Sequence, residues 1–266
     1  MTSSFDPLFE IGFASDRGRK RGDAPNQDSL IVLTPPKGKS LPPLFIVADG
    51  MGGYTGGEIA SKIIIDTFSS AYSSLHDRLD FQVFCAETLT QAHQKMQRMA
   101  ESDSQLSGMG STIVAASIEG KSVNIMNVGD SRAYLFHGIE IQQLNYDHSF
   151  VGEAVRAGVL TIAEAMTHPK KNQLTQSVSA RRIEIKPFFG QVPFDDNDAL
   201  LLCSDGLWGV VSESIIQAVV MELPVQTAAE KLVKLANSRG GPDNISVIVC
   251  KKAGALVPNQ FSNSDQ

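Results

Sequence analysis

With 266 residues, of which 42% are hydrophobic and 20% charged, the chain can bury a sizeable core, and its composition excludes a disordered, collagen-like or coiled-coil protein. Its 23 Lys and Arg face 29 Asp and Glu, a formal net charge of -6 with no basic block, which argues against non-specific nucleic-acid binding. Cys85, Cys203 and Cys250 are odd in number, widely spaced and set among apolar neighbours, so they are expected to be buried free thiols of a reducing compartment.

From the N-terminus, Met1 to Glu10 lacks a basic stretch followed by an apolar one, and no apolar run approaches the roughly 18 residues that span a bilayer. A cytoplasmic protein with no membrane partner is expected. Short apolar, β-branched runs bounded by Gly, Pro, Asn or Asp predict strands at Leu30–Leu33 and Leu44–Ala48, joined by a proline-rich surface connector over Thr34–Pro43. Three- and four-residue spacing of Ile59, Ile63, Ile64, Phe68, Ala71 and Leu75, and then of Phe81, Phe84, Leu89, Ala92 and Met96, predicts two amphipathic helices. Strands follow at Ser111–Ile118, Val123–Val128, Ala133–Phe136 and Ile139–Ile141. The tight turns at Gly129-Asp130 and His137-Gly138 lead us to expect an antiparallel meander.

Between Asp147 and Phe189 the pattern turns irregular, with a short helix near Val151–Ala157 and a capping box at Thr161-Ile162-Ala163-Glu164, like an insertion lying over the main body. Strands at Ala199–Cys203 and Ile245–Cys250 flank a second helix pair around Ile215–Val220 and Ala228–Ala236, split by Pro224. Grouped strands and paired helices imply an α+β layered architecture of antiparallel sheets covered by helices, and one large domain is the default. The polar tail, 253–266, is expected to be flexible.

The chemically informative pattern is a set of acidic turns at strand boundaries. Val47-Ala48 runs into Asp49-Gly50-Met51-Gly52-Gly53, Asn127-Val128 into Gly129-Asp130, and Cys203-Ser204 into Asp205-Gly206, while Asp243-Asn244 precedes Ile245. The end of one antiparallel strand lies beside the start of the next, so these aspartates can converge on one edge. Each Asp-Gly alone is explained as well by turn preference. Four together, partly removed from water, repel one another and call for a cation. Oxygen donors without Cys or paired His select magnesium or manganese.

Asp16-x-Gly18-x-x-Arg21, Asn26-Gln27-Asp28, Asp49-Gly50-Met51-Gly52-Gly53, Gly110-Ser111-Thr112, Gly129-Asp130-Ser131-Arg132, Asp147-His148-Ser149, Ser204-Asp205-Gly206-Leu207-Trp208 and Asp243-Asn244 occur in the order of the bacterial metal-dependent type-2C (PPM) protein serine/threonine phosphatases, which the chain resembles over roughly residues 10 to 252. The resemblance implies a four-layer αββα sandwich, a single catalytic domain over 1–252 and a flap at about 149–189. It also implies hydrolysis of phosphoserine and phosphothreonine by a metal-bound water, without a phosphoenzyme. Asp49 would bridge two Mg2+ or Mn2+ ions. The Gly50 carbonyl would bind one of them, and Asp205 and Asp243 the other. Asp28 would act through metal-bound waters, Asp130 with Asp205 would form a third, weaker site, and Arg21 would bind phosphate. The implied partners are phosphorylated proteins, including targets of a cognate kinase, and the implied state is a monomer.

Three departures stand out. Arg21 precedes Asp28 by seven residues where the family usually has five, so residues within Gly22–Pro25 must bulge outward, or Arg19 or Lys20 must substitute. Met51 stands where eukaryotic members often place a histidine, and Leu174-Thr175-Gln176 replaces the usual Leu-Thr-Arg. Lys170, Lys171, Arg181 and Arg182 would either attract an acidic phosphopeptide or form a solvated surface. His76 and His93 are expected at a helix surface or boundary. Two rivals are weighed: a catalytically silent scaffold, whose mark would be loss of Asp49, Asp205 or Asp243, and a metal-dependent nuclease, disfavoured by the acidic charge.

Overall fold

The computed structural model describes residues 8–35 and 38–254. Of the expected tail, only Ala253 and Gly254 fall among them; the rest lies outside the described residues. In chain order the elements are β1 (Phe9–Asp16), β2 (Asp28–Leu33), β3 (Leu44–Met51), α1 (Gly53–Ser74), α2 (Phe81–Ser102), β4 (Gly110–Ser111), β5 (Ile113–Glu119), β6 (Ser122–Val128), β7 (Arg132–His137), β8 (Glu140–Gln143), α3 (Phe150–Arg156), α4 (Ile162–Thr167), β9 (Val178–Ser179), β10 (Phe188–Pro193), β11 (Ala199–Cys203), α5 (Asp205–Trp208), α6 (Glu213–Glu222), α7 (Val225–Ser238) and β12 (Ile245–Lys252).

The strands form two antiparallel sheets, β1-β12-β11-β7-β8 and β10-β6-β5-β3-β4-β9 with β2 paired to β3. Apolar alternation explains how they stack. In β3, Phe45 and Val47 enter the layer between the sheets with Val114, Ala116, Leu200, Leu202 and Ile248, while Leu44, Ile46 and Ala48 face α1 and α2 with Ile64, Phe68 and Met96. In β11 and β12, Leu201, Cys203, Val247 and Val249 face α6 and α7 with Ile216, Leu232 and Ala236. Central strands are therefore buried on both faces, which is why their sequences read as unbroken apolar runs. The result is the expected αββα order.

The meander is corrected in one place. β7 does form a hairpin with β8, but β6 pairs with β5 and β10, and β7 pairs with β11 and β8. Gly129-Asp130 therefore carries the chain from one sheet to the other. Gly129 has φ 113, and a Cβ there would meet the Thr112 side chain at 2.6 Å. A left-handed residue in close contact, not hairpin geometry, is what required this glycine.

The irregular segment holds α3, α4 and β9, with the capping box at Thr161 and Glu164 formed as expected. All three cysteines are buried and none forms a disulfide, and burial pushes the Cys85 and Cys203 thiols far above the ordinary range, which leaves neither as a thiolate for nucleophilic chemistry. His93 lies deeper than the expected surface or boundary position: it is buried, and its Nε2 lies 3.1 Å from the Ser179 carbonyl and 3.0 Å from that of Arg182, bracing α2 against β9. His76 lies beyond the end of α1. Among the described residues no helix is long and apolar enough to cross a membrane.

Candidate metal centre

Antiparallel register brings the first two carboxylates together. Asp28 opens β2 directly opposite Asp49 in β3, so both side chains leave the sheet on the same side. Asp205 starts α5 at the end of β11, and Asp243 stands just before β12, the strand paired with β11. Asp130 lies in the turn that changes sheets. The aspartates at 49, 130, 205 and 243 line one cleft of about 650 Å³, with Arg21 at its rim and Asn172, Leu174 and Ser177 of the irregular segment along one wall. Asp28 lies behind it, accepting a 2.7 Å hydrogen bond from Ser204 Oγ.

Close backbone packing makes this convergence possible. A Cβ on Gly18 would fall 2.0 Å from the Asp243 carbonyl oxygen, on Gly50 2.0 Å from that of Gly57, and on Gly206 1.9 Å from that of Asn244. Asn244 ties the segments: Oδ1 accepts from the Gln27 backbone at 2.9 Å and Nδ2 donates to the Arg17 carbonyl at 2.8 Å. Thr112 braces Asp49, donating its backbone N–H to the Asp49 carbonyl at 2.8 Å and meeting Ser131 Oγ through its hydroxyl at 2.7 Å. Thr112 belongs to a motif visible in the sequence, but carrying no charge it gave no sign of this bracing role.

The electrostatics are those of a site built for a cation. Burial pushes Asp28 up to about 7, against hydrogen bonds from Ser204 and Ser246, with Asp205 and Asp243 adding to the rise. Asp49 is held well above the carboxylate range by burial and then by Asp28, Asp205, Asp130 and Asp243, and Asp130 likewise by burial, Asp205 and Asp147. Asp205 rises to about 6 through burial and Asp243, countered by a hydrogen bond with Asp49. Asp28 Oδ1 and Asp205 Oδ1 are buried without a hydrogen-bond partner. An all-oxygen donor set with unsatisfied carboxylate oxygens fits Mg2+ or Mn2+.

A stability prediction follows from these shifts. Asp28 and Asp205 bind protons more tightly when folded than unfolded, so their contribution is present below about pH 4 and is lost as pH rises through about 6 to 7. In metal-free buffer, scanning calorimetry should therefore show these groups lowering Tm between pH 5 and pH 7.5, with each kcal/mol worth about 2–4 °C, and added Mn2+ should restore it. A metal-free Tm that climbs over that interval and ignores Mn2+ would contradict this.

Arg21 reaches the cleft despite the longer spacing. It closes a one-turn 3-10 helix, Arg19–Arg21; Gly22 follows at φ 58, and Asp23 projects into solvent. The extra residues bulge outward. The guanidinium donates to Gln27 Oε1 at 2.6 Å and lies 3.4 Å from Asp243 Oδ1, and its Nε is buried without a partner. Neither Arg19 nor Lys20 lines the cleft. Met51 does, as does Leu174, whereas Lys170, Lys171, Arg181 and Arg182 do not.

A different titratable cluster, His137 with Asp195 and Asp198, sits at the far end of β7, about 17 Å from Arg132 by strand rise. Asp198 accepts from the Asp195 backbone at 2.7 Å and pairs with His137 Nδ1 at 2.6 Å, which accounts for it as a turn lock.

The protein phosphatase 2C family model matches residues 17–239. The chain is 36% identical over 245 residues to the serine/threonine phosphatase stp of Listeria monocytogenes, covering 90% of this chain and 94% of that one. It is 37% identical over 241 residues to the protein phosphatase PhpP of Streptococcus pneumoniae, covering 90% and 95%. Among solved structures, the catalytic domain of the serine/threonine protein phosphatase PstP in complex with two manganese ions superposes with a TM-score of 0.80 at 28% identity, covering 92% and 98%.

Proposed function

The chain belongs to the protein phosphatase 2C family, the bacterial metal-dependent serine/threonine phosphatases, and from that premise we propose how its own residues divide the work. It is a phosphoprotein phosphatase that uses a pair of Mn2+ or Mg2+ ions. Asp49, the Gly50 carbonyl, Asp205 and Asp243 would hold the two ions, Asp28 would act through water, and Asp130 with Asp205 would hold a third more weakly. Such a pair supplies a water acidic enough to attack at neutral pH and positive charge at the phosphoryl oxygens. The observation that carries the assignment is the convergence of four aspartates from four separate chain segments on one cleft rimmed by Arg21, with Asp28 opposite Asp49 behind it.

Each residue then has a task. Arg21 presents a planar fork to the phosphate, a geometry that lysine lacks. Thr112 and Asn244 fix the main chain around Asp49 and Asp243. With Met51 beside Gly50, no histidine of that segment can protonate the leaving alkoxide, so the proton must come from water or another group. Single-domain organisation with 149–189 as a flap, a cytoplasmic monomer, and substrates shared with a cognate kinase complete the proposal. Manganese-dependent phosphate release from a phosphothreonine peptide, with single-stranded DNA left intact, tests the assignment; undiminished turnover after exhaustive chelation would overturn it.

Asp130 tests the weaker site. Asp130→Ala should leave two tight Mn2+ sites by calorimetry while kcat falls about tenfold, a loss of about 1.4 kcal/mol in the barrier. Loss of a tight site would instead place Asp130 in the central pair.

A further inference from the structure

His148 lies outside the carboxylate cluster, yet it touches both the cleft wall and the Asp130 turn. Its backbone N–H donates to the Gly129 carbonyl at 2.9 Å, and its ring Nδ1 accepts from the Gly129 N–H at 3.2 Å. Gly129 is thus held on both polar groups by one residue. On its other side, the His148 carbonyl accepts from the Thr175 N–H at 2.8 Å, and a bridge between Ser149 and Leu174 continues the pairing into the segment that lines the cleft. His148 is 4% exposed and its ring meets Tyr146 edge to face at 5.0 Å, while the Arg156 guanidinium lies over the Tyr146 ring at 4.0 Å.

The turn it holds has little freedom elsewhere. Gly129 is pressed on Thr112, Ser131 bonds Thr112, and Trp208 Nε1 donates to the Asp130 carbonyl at 3.0 Å. Displacing Gly129 must therefore move Asp130. Burial holds the His148 imidazole below its ordinary range, and a neutral ring is what leaves Nδ1 free to accept.

We propose that His148 is a positioning residue that couples the wall segment 172–177 to the Gly129-Asp130 turn, so that movement of one is transmitted to the Asp130 carboxylate. The inference rests on the reading of Asp130 as a metal ligand. A histidine in this place does no chemistry on substrate. It sets where a ligand carboxylate stands, and residues of that kind alter metal affinity or activity about 10- to 100-fold when lost.

The test compares His148→Asn, whose Oδ1 can stand where Nδ1 accepts, with His148→Gln and His148→Ala, which cannot place an acceptor there. Amide hydrogen exchange on metal-free full-length protein is read at Gly129 and Thr175, and Mn2+ dependence of turnover on a phosphothreonine peptide is read in parallel with Asp130→Ala. The Asn variant should keep protection at both amides and wild-type Mn2+ dependence. The Gln variant should lose protection at both together and need about tenfold more Mn2+ for half-maximal rate. If the Ala variant does not fold, the Asn and Gln pair decides. Asn and Gln behaving alike, or loss at Gly129 without loss at Thr175, overturns the coupling while an impaired Asp130→Ala keeps the metal reading. Wild-type behaviour of Asp130→Ala overturns both.

Discussion

Asp49→Asn is expected to lower kcat/KM about 1,000-fold, about 4 kcal/mol of barrier, while leaving the metal-free protein as stable as wild type or more so. Asparagine keeps the shape of the side chain and does not touch the backbone bonds between Asp49 and Thr112. It removes the carboxyl group that burial, and then Asp28, Asp205, Asp130 and Asp243, holds well above the ordinary carboxylate range when no cation is present. Folding without metal loses a repulsive partner, whereas catalysis loses the one carboxylate placed among all the others. Calorimetry in chelated buffer beside kinetics in Mn2+ separates the two effects. The variant should also flatten the pH dependence of metal-free Tm, since it removes a buried carboxyl that binds its proton more tightly in the folded state. A fall in Tm matching the fall in activity would show that Asp49 is needed for the fold instead.

Much of this site was legible because its signal is local. Asp49, Asp130 and Asp205 each follow an apolar strand and sit beside glycine, and the strand ends that place them are read from composition alone. The layered fold was equally accessible, since the same strands are largely apolar on both faces and the helices are apolar on one stripe. What failed was pairing. The turn at Gly129-Asp130 has the length of a hairpin, and nothing in its residues distinguishes a hairpin from a crossing between sheets; the contact of Gly129 with Thr112, seventeen residues away, decides it. Strands β9 and β10 were missed for a related reason. β9 is two residues long, and β10 carries Gly190 and Pro193 and is half-exposed at a sheet edge, so neither shows an apolar run. His93 was placed by its position on the helix, whereas its role depends on carbonyls far along the chain.

Arg21→Ala is expected to reduce kcat/KM about 10- to 150-fold, corresponding to the 1.5–3 kcal/mol or so that hydrogen bonds to a charged group contribute. The loss has two sources that a metal titration separates. The guanidinium stands ready for an anion, with Nε unpartnered, and it also lies 3.4 Å from Asp243 and braces Gln27. If phosphate contact dominates, the half-saturating Mn2+ concentration stays near wild type and the loss tracks substrate; if the Asp243 contact dominates, metal dependence shifts as well. Arg21→Lys keeps the charge without the fork and should recover only part of the rate. Arg19→Ala and Lys20→Ala provide the control for register, because both side chains leave the cleft while the bulge at Gly22-Asp23 lets Arg21 turn into it. Kinetics on one phosphopeptide should therefore rank Arg21→Ala far below both neighbours. A near-normal Arg21→Ala beside an impaired Arg19→Ala or Lys20→Ala would mean that the phosphate is met from a different register of the same turn.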